Sequence, residues 1–153
     1  MSNITHLLIM NLAIGSDHAG FETKQILVEY LKSKGHTVTD FGTNSPDSMD
    51  YPDVAHPLAE AVEQGKFDLG ITLCGSGNGI NITANKHQGI RSALCWNTEI
   101  AALARQHNNA NICAIPARFI SVDLAKQVVD TFLSTGFEGG RHQRRIDKIP
   151  VKH

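Results

Sequence analysis

The chain has no apolar run near the roughly 20 residues that a membrane-spanning helix requires. Met1 to Thr5 also lack the basic start and long apolar stretch of a secretory signal, so a cytoplasmic location is expected. Cysteine is scarce: three residues in 153, an odd number, each in or at the end of a predicted strand. That argues against a disulfide framework and for reduced thiols. Charge of one sign is lacking as well. Fourteen Lys and Arg face fifteen Asp and Glu, a net charge of −1. The chain therefore has neither the positive field of a nucleic-acid binder nor an acidic, disordered composition. Aromatic residues are 6% of the total and do not interleave with the basic ones, as a single-stranded nucleic-acid groove would need. No His/Cys cluster shows metal-ligand spacing, and the adjacent Asp17 and His18 suit one ion poorly. No metal, cofactor, nucleic acid or membrane is expected as a partner.

What is present fits one core. No repeat or linker divides the chain, so residues 1–153 are expected to form a single domain. Leu7–Ile14 is a continuous apolar run that reads as a buried strand. After a turn over Gly15–Gly20, Phe21–Lys34 carries Ile26, Leu27, Tyr30 and Leu31 on one helical face. His36–Phe41 is a short strand, Gly42–Asp53 a loop, and a helix follows to Gln64. Leu69–Leu73, Ser92–Cys95 and Asn111–Ile115 read as strands. Gly77–Lys86, Thr98–His107 and Ser121–Ser134 read as helices, the last with Ser121 at its N-cap and Gly136 as its stop. Glu138–His153 is a polar, basic tail with no core of its own. Alternating strands and helices predict an α/β fold: an open, doubly wound, Rossmann-like parallel sheet of five strands with helices on both faces.

In such a sheet ligands bind at the carboxyl ends of the strands. Cys74 ends one strand, and Gly75-Ser76-Gly77-Asn78-Gly79 opens the next helix. A buried structural cysteine is the plain alternative. Three glycines on alternate positions instead leave a backbone wall that a ligand can touch. Helix-start N–H groups would stabilise a thiolate and an anion beside it. The spacing lacks the second x of the dinucleotide G-x-G-x-x-G and an acidic residue twenty positions on, lacks the Lys of a P-loop, and has Ile80 where a cysteine phosphatase needs Arg. Asp17 and His18 follow the first strand on the same rim. Tyr51 lies in a loop that could close over a ligand. Arg118 follows the fifth strand, and Arg141, Arg144 and Arg145 follow a diglycine, suited either to solvation or to clamping phosphate. His107 ends a helix, where it could simply complement the dipole. That helix runs back to the opposite rim, where the tail also begins. If His107 and the tail arginines act on the ligand of Cys74, they must come from another subunit.

Several segments together resemble one family. Gly15-Ser-Asp-His-Ala-Gly20, Asp50-Tyr-Pro-Asp53, Cys74-Gly-Ser-Gly-Asn-Gly-Ile80, Ala84-Asn-Lys86, Gly89-Ile-Arg91, Arg105-Gln-His-Asn108 and Gly139-Gly-Arg-His-Gln143 are similar to the type B ribose-5-phosphate isomerases. The allose- and galactose-phosphate isomerases belong to the same family. The likeness runs from Leu12 to about Ile149, leaving Met1–Ile9 as an expected N-terminal extension. The resemblance implies Cys74 as the base moving a proton between C1 and C2, since Ile80 stands where other members use a glutamate. It implies Ser76 and His107 in ring opening, with Asp17 on the ring oxygen or hydroxyls. Backbone amides from Gly75 through Gly77 to Gly79 would hold the enediolate oxygen. His18, Arg118, Arg141 and Arg145 match phosphate-binding positions, while Tyr51 and Asn108 line the pocket. It also implies a homodimer, or a tetramer, with sites shared between subunits. Interconversion of ribose 5-phosphate and ribulose 5-phosphate is the expected activity. Allose- or galactose-6-phosphate isomerisation and a non-catalytic sugar-phosphate or nucleotide binding module are the alternatives.

Overall fold

Strands β1 (Asn11–Ser16), β2 (Thr37–Asp40), β3 (Leu69–Cys74), β4 (Ser92–Leu94) and β5 (Ile112–Pro116) pair in parallel in the spatial order β2-β1-β3-β5-β4. This is a computed structural model, and it describes residues 8–152. Helices α1 (Phe21–Ser33), α2 (Pro52–Glu63), α3 (Asn78–Ala84), α4 (Thr98–Asn108), α5 (Val122–Ser134) and α6 (Arg141–Ile146) connect and flank the strands. All six residues of β3 are buried, as a central parallel strand covered on both faces requires. The edges are short: β2 has four residues, three of them exposed, and β4 has three.

The helix periodicity explains the layers. Leu27, Val28 and Leu31 of α1, Ala101 and Ala104 of α4, and Ala125, Val128, Val129 and Phe132 of α5 share one core with Leu12, Ile14, Ile71 and Leu73 of the sheet. Leu58, Ala59 and Val62 of α2 and Ala84 of α3 cover the other face with Ala13 and Ile112. Asn97 and Ser121 cap α4 and α5 by accepting the N–H groups of Ile100 and Leu124. Among the described residues no helix is long and apolar enough to cross a membrane.

Several boundaries shift by a residue or two from the sequence reading, and three differences stand out. The first strand begins at Asn11, whose partner is Thr37; Leu8 and Ile9 precede any strand partner and are exposed, and Leu7 lies outside the described residues. Helix α2 starts at Pro52, earlier than the loop Gly42–Asp53 allowed, because proline suits the first helical position. The tail is also not coreless. Helix α6 packs on α4 and buries His142 and Ile146. Its one buried apolar residue is too little to register as a period in the sequence.

Two local devices fix the ends of elements near the rims. At Gly20 an added Cβ would lie 2.7 Å from Leu73 Cβ and 3.0 Å from the Leu73 carbonyl carbon and oxygen. The Asp17 N–H also donates to the Leu73 carbonyl at 3.2 Å. The turn after β1 is thus pressed directly onto β3. At the opposite rim α4 ends in Asn109, left-handed with φ 43°. Arg91 Nε donates to the Asn108 carbonyl and its Nη2 to the Asn109 carbonyl, both at 3.0 Å. Arg105 Nη1 reaches Asn109 Oδ1 at 3.1 Å. Burial pushes both guanidinium groups below their usual range, and the Arg91 charge adds to the effect on Arg105. Bare helix-end carbonyls compensate for that desolvation.

Gly20→Ala should destabilise the fold by about 1–3 kcal/mol, the usual cost of overpacking against backbone. Urea unfolding should show a lower midpoint with unchanged slope; an unchanged midpoint would mean that the turn shifts freely.

Candidate functional site

The carboxyl ends of β1, β3 and β5 bring most of the candidate residues to one rim. Asp17 follows β1 and is 6% exposed. Its Oδ1 accepts the N–H of Ala19 at 2.9 Å and of Gly20 at 3.2 Å. The carboxylate is therefore oriented by the turn it caps. His18 Nδ1 accepts the Met49 N–H at 3.2 Å, which leaves the proton of the neutral ring on Nε2. That bond also ties the loop before α2 to the end of β1. Tyr51 then lies at the N-cap of α2.

Cys74 closes β3 beside β1 and is 4% exposed. Its carbonyl accepts the Ala117 N–H at 2.9 Å, and that of Gly75 accepts the Arg118 N–H at 3.0 Å. The loop is thus fastened to the end of β5 through its carbonyls. Ser76 Oγ accepts the Asn78 N–H at 3.2 Å at the start of α3. Each glycine has its own reason. Gly77 is left-handed, φ 77°, and a Cβ there would collide with Leu94. A Cβ on Gly79 would lie 2.5 Å from Tyr51 Cζ, so the Tyr51 ring rests on this backbone. A Cβ on Gly75 would stand 3.3 Å from Arg118 Cδ, which places the Arg118 side chain along the same loop. On the same rim a cavity of about 630 Å³ is lined by Asp17, His18, Met49, Asp50, Tyr51 and Pro52, among others, while Cys74, Ser76 and Arg118 are not part of its lining.

The remaining candidates gather elsewhere. A second cavity, about 350 Å³, is lined by His107, Asn108, Arg141, His142, Arg145 and Ile146, together with Ile149. It sits where α4 ends, next to the segments that lead into β4 and β5, at the amino-terminal rim. Arg144 is exposed and does not line this cavity. One chain therefore unites Asp17, His18, Tyr51, Cys74, Ser76, the three glycines and Arg118, and separately unites His107, Asn108, Arg141 and Arg145. It does not join the two groups.

Sequence reasoning missed four residues near the second cavity. Arg91 clamps the carbonyls of Asn108 and Asn109, and Arg105 bonds Asn109 Oδ1, beside the Asn108 of its lining. His142 stacks on His107 with ring centroids 4.4 Å apart and planes 13° apart. Glu138 Oε2 lies 3.4 Å from His142 Nε2. The Glu138–His142 spacing of four residues was the available signal. The polar, basic character of the tail obscured it.

A family model described as Ribose/Galactose Isomerase matches residues 12–149. The ribose-5-phosphate isomerase B of Escherichia coli is 45% identical over 138 residues, covering 90% of this chain and 93% of that protein. The crystal structure of a ribose 5-phosphate isomerase from Thermotoga maritima superposes with a TM-score of 0.91 at 52% identity, covering 92% of this chain and 97% of that one. The Mycoplasma genitalium ribose-5-phosphate isomerase B, solved with bound ribulose-5-phosphate, gives 0.89 at 46% identity over 94% of this chain and 95% of that one. A match this long, joined to the same parallel fold, means that the chain belongs to the ribose/galactose isomerase family.

Proposed function

We propose that this protein interconverts ribose 5-phosphate and ribulose 5-phosphate, with Cys74 carrying the transferred proton. The observation that carries the reading is the position of Cys74. It ends the central strand against a glycine backbone loop, on the same strand-end rim as the cavity of Asp17, His18 and Tyr51. The similarity to isomerases of this sugar, one of them holding ribulose-5-phosphate, supports the choice of substrate.

An aldose becomes a ketose when the C2 proton is lost and a proton is regained at C1, while the hydroxyl proton at O2 is released and O1 is protonated. As a thiolate, Cys74 takes the C2 proton and the electron pair moves to form the enediolate. The same sulfur returns the proton to C1, so nothing is oxidised or reduced overall. We assign amide N–H groups of Gly75, Gly77 and Gly79 to the developing oxyanion; one such donor is worth about 2.7–4 kcal/mol. Asp17 and Ser76 hold the sugar hydroxyls, and Tyr51 covers them from the Gly79 side. His18 and Arg118 approach the phosphate from this subunit.

His107 opens the sugar ring, and Arg141 and Arg145 grip the phosphate by forked hydrogen bonds. Because these groups occupy the opposite rim of one chain, we assign them to the site of a second copy in a homodimer. Asn108 lines the pocket on the same side, its backbone held by Arg91.

Turnover of ribose 5-phosphate should exceed that of allose 6-phosphate and galactose 6-phosphate and should incorporate deuterium from heavy water. Cys74→Ala should lower that turnover by about 10² or more, the range of a lost general base, while circular dichroism stays unchanged. Near-normal turnover by the folded variant would remove the proton-transfer role. Arg141→Ala and Arg145→Ala should each raise KM about tenfold with little change in kcat, the loss of one charge-assisted bond of roughly 1.5 kcal/mol. An unchanged KM in both would return these arginines to solvated charge. Cys74→Ala and His107→Ala proteins, each inactive alone, should recover activity when their subunits are exchanged. Failure to recover after demonstrated exchange would exclude a shared site.

A further inference from the structure

We infer that His107, Glu138 and His142 form a binding site for a transition-metal dication of the zinc class. Their ligand atoms all lie within 4.8 Å of one another. Two imidazole nitrogens and one carboxylate oxygen make the donor set that zinc accepts while keeping a position open. Magnesium and calcium, which require mostly oxygen ligands, are poorly served by it.

The three groups come from three places that the fold holds together. His107 is in the last turn of α4, whose end is clamped by Arg91 and Arg105. The Glu138 N–H donates to the Gln106 carbonyl at 3.1 Å, which anchors the segment after α5 to that same turn. His142 lies on α6, and its N–H donates to the Gly139 carbonyl at 3.2 Å. Its side chain is only 10% exposed, whereas that of Glu138 is 53% exposed. One imidazole is thus fixed in place and the carboxylate can swing onto an ion. The rings stack nearly face to face, so both must tilt out of the stack to aim one nitrogen each at a common ion.

His107 and His142 line the 350 Å³ cavity, as do Arg141 and Arg145. These guanidinium groups oppose a bare cation, but they favour an ion that carries an anion as its further ligand. Chloride or phosphate would complete the shell between metal and arginines. Occupancy also withdraws His107 from any substrate. That inhibitory consequence rests on the role proposed for His107 above, but the binding itself does not.

The test is zinc binding to the full-length Cys74→Ala protein, by competition with a chromophoric chelator, so that no accessible active-site thiol contributes. Visible absorption of the cobalt(II)-loaded protein reports the coordination. One equivalent of zinc should bind, and cobalt should give the d–d bands of a four- or five-coordinate N/O site. Glu138→Gln, on an exposed side chain, and His142→Asn should each weaken binding about tenfold or more, the loss seen even for groups outside a ligand set. A separate pair, His56 and His87, has ring nitrogens 2.9 Å apart; His56→Asn should leave binding unchanged. Absence of stoichiometric zinc would overturn the site. So would binding that survives both Glu138→Gln and His142→Asn or disappears in His56→Asn. None of these readouts depends on turnover, so failure of the metal site and failure of the isomerase reading are separable.

Discussion

The contact between the turn after β1 and the last residues of β3 governs the rest of this molecule. Only a residue without a Cβ lets the Gly20 backbone rest on Leu73. That approach sets the separation between Asp17 and the end of the strand carrying Cys74. The parallel register then carries the placement across the sheet, with Ser16 opposite Leu73 and Cys74 opposite Pro116. Arg118 follows two residues later, and its N–H is bonded to the cysteine loop itself. A candidate rim assembled from four segments distant in sequence thus depends on a few backbone contacts. Side-chain packing further back, from Leu12 to Phe132, keeps those strands from sliding.

The rim was legible in the sequence because its signals are local. Glycines on alternate positions after an apolar strand, and an Asp-His pair between two glycines, declare the places where a parallel sheet ends. Topology then puts such places side by side whatever the intervening sequence is. The same logic placed His107 at the far rim without coordinates. Legibility failed where a residue matters through what it touches. Arg91 and Arg105 look like ordinary surface charge until α4 ends in a left-handed Asn109 whose neighbouring carbonyls need donors. His142 and Ile146 are too few to show a helical period, although they bury one face of α6. Leu8 and Ile9 mislead in the opposite direction: they are apolar, but no strand lies beside them to be covered.

Membership of the isomerase family and the division of the candidate groups between two rims bear on each other. A sugar phosphate presents a reacting carbonyl at one end and a dianion at the other. Thiol chemistry needs a dry, glycine-lined wall, whereas phosphate needs arginines free to fork around it. Here the wall is built at the strand ends, and half of the arginines are carried on a short helix beyond the last long one. Assigning the two tasks to separate regions of one chain lets each be shaped without compromising the other. In the proposed homodimer the substrate is the object that two copies meet around.

The brevity of the sheet's edges has a consequence for how such copies can meet. An unpaired edge strand templates addition of another chain through its backbone, irrespective of the sequence that arrives. With three residues in β4 and four mostly exposed residues in β2, either edge offers only a few N–H and C=O groups over roughly 10–13 Å. That is too little to drive growth of the sheet from copy to copy. Association is left to helices, loops and rims, where side-chain identity decides the fit. Recognition between copies therefore becomes heritable residue by residue, and so open to selection, instead of being a generic property of the polypeptide backbone.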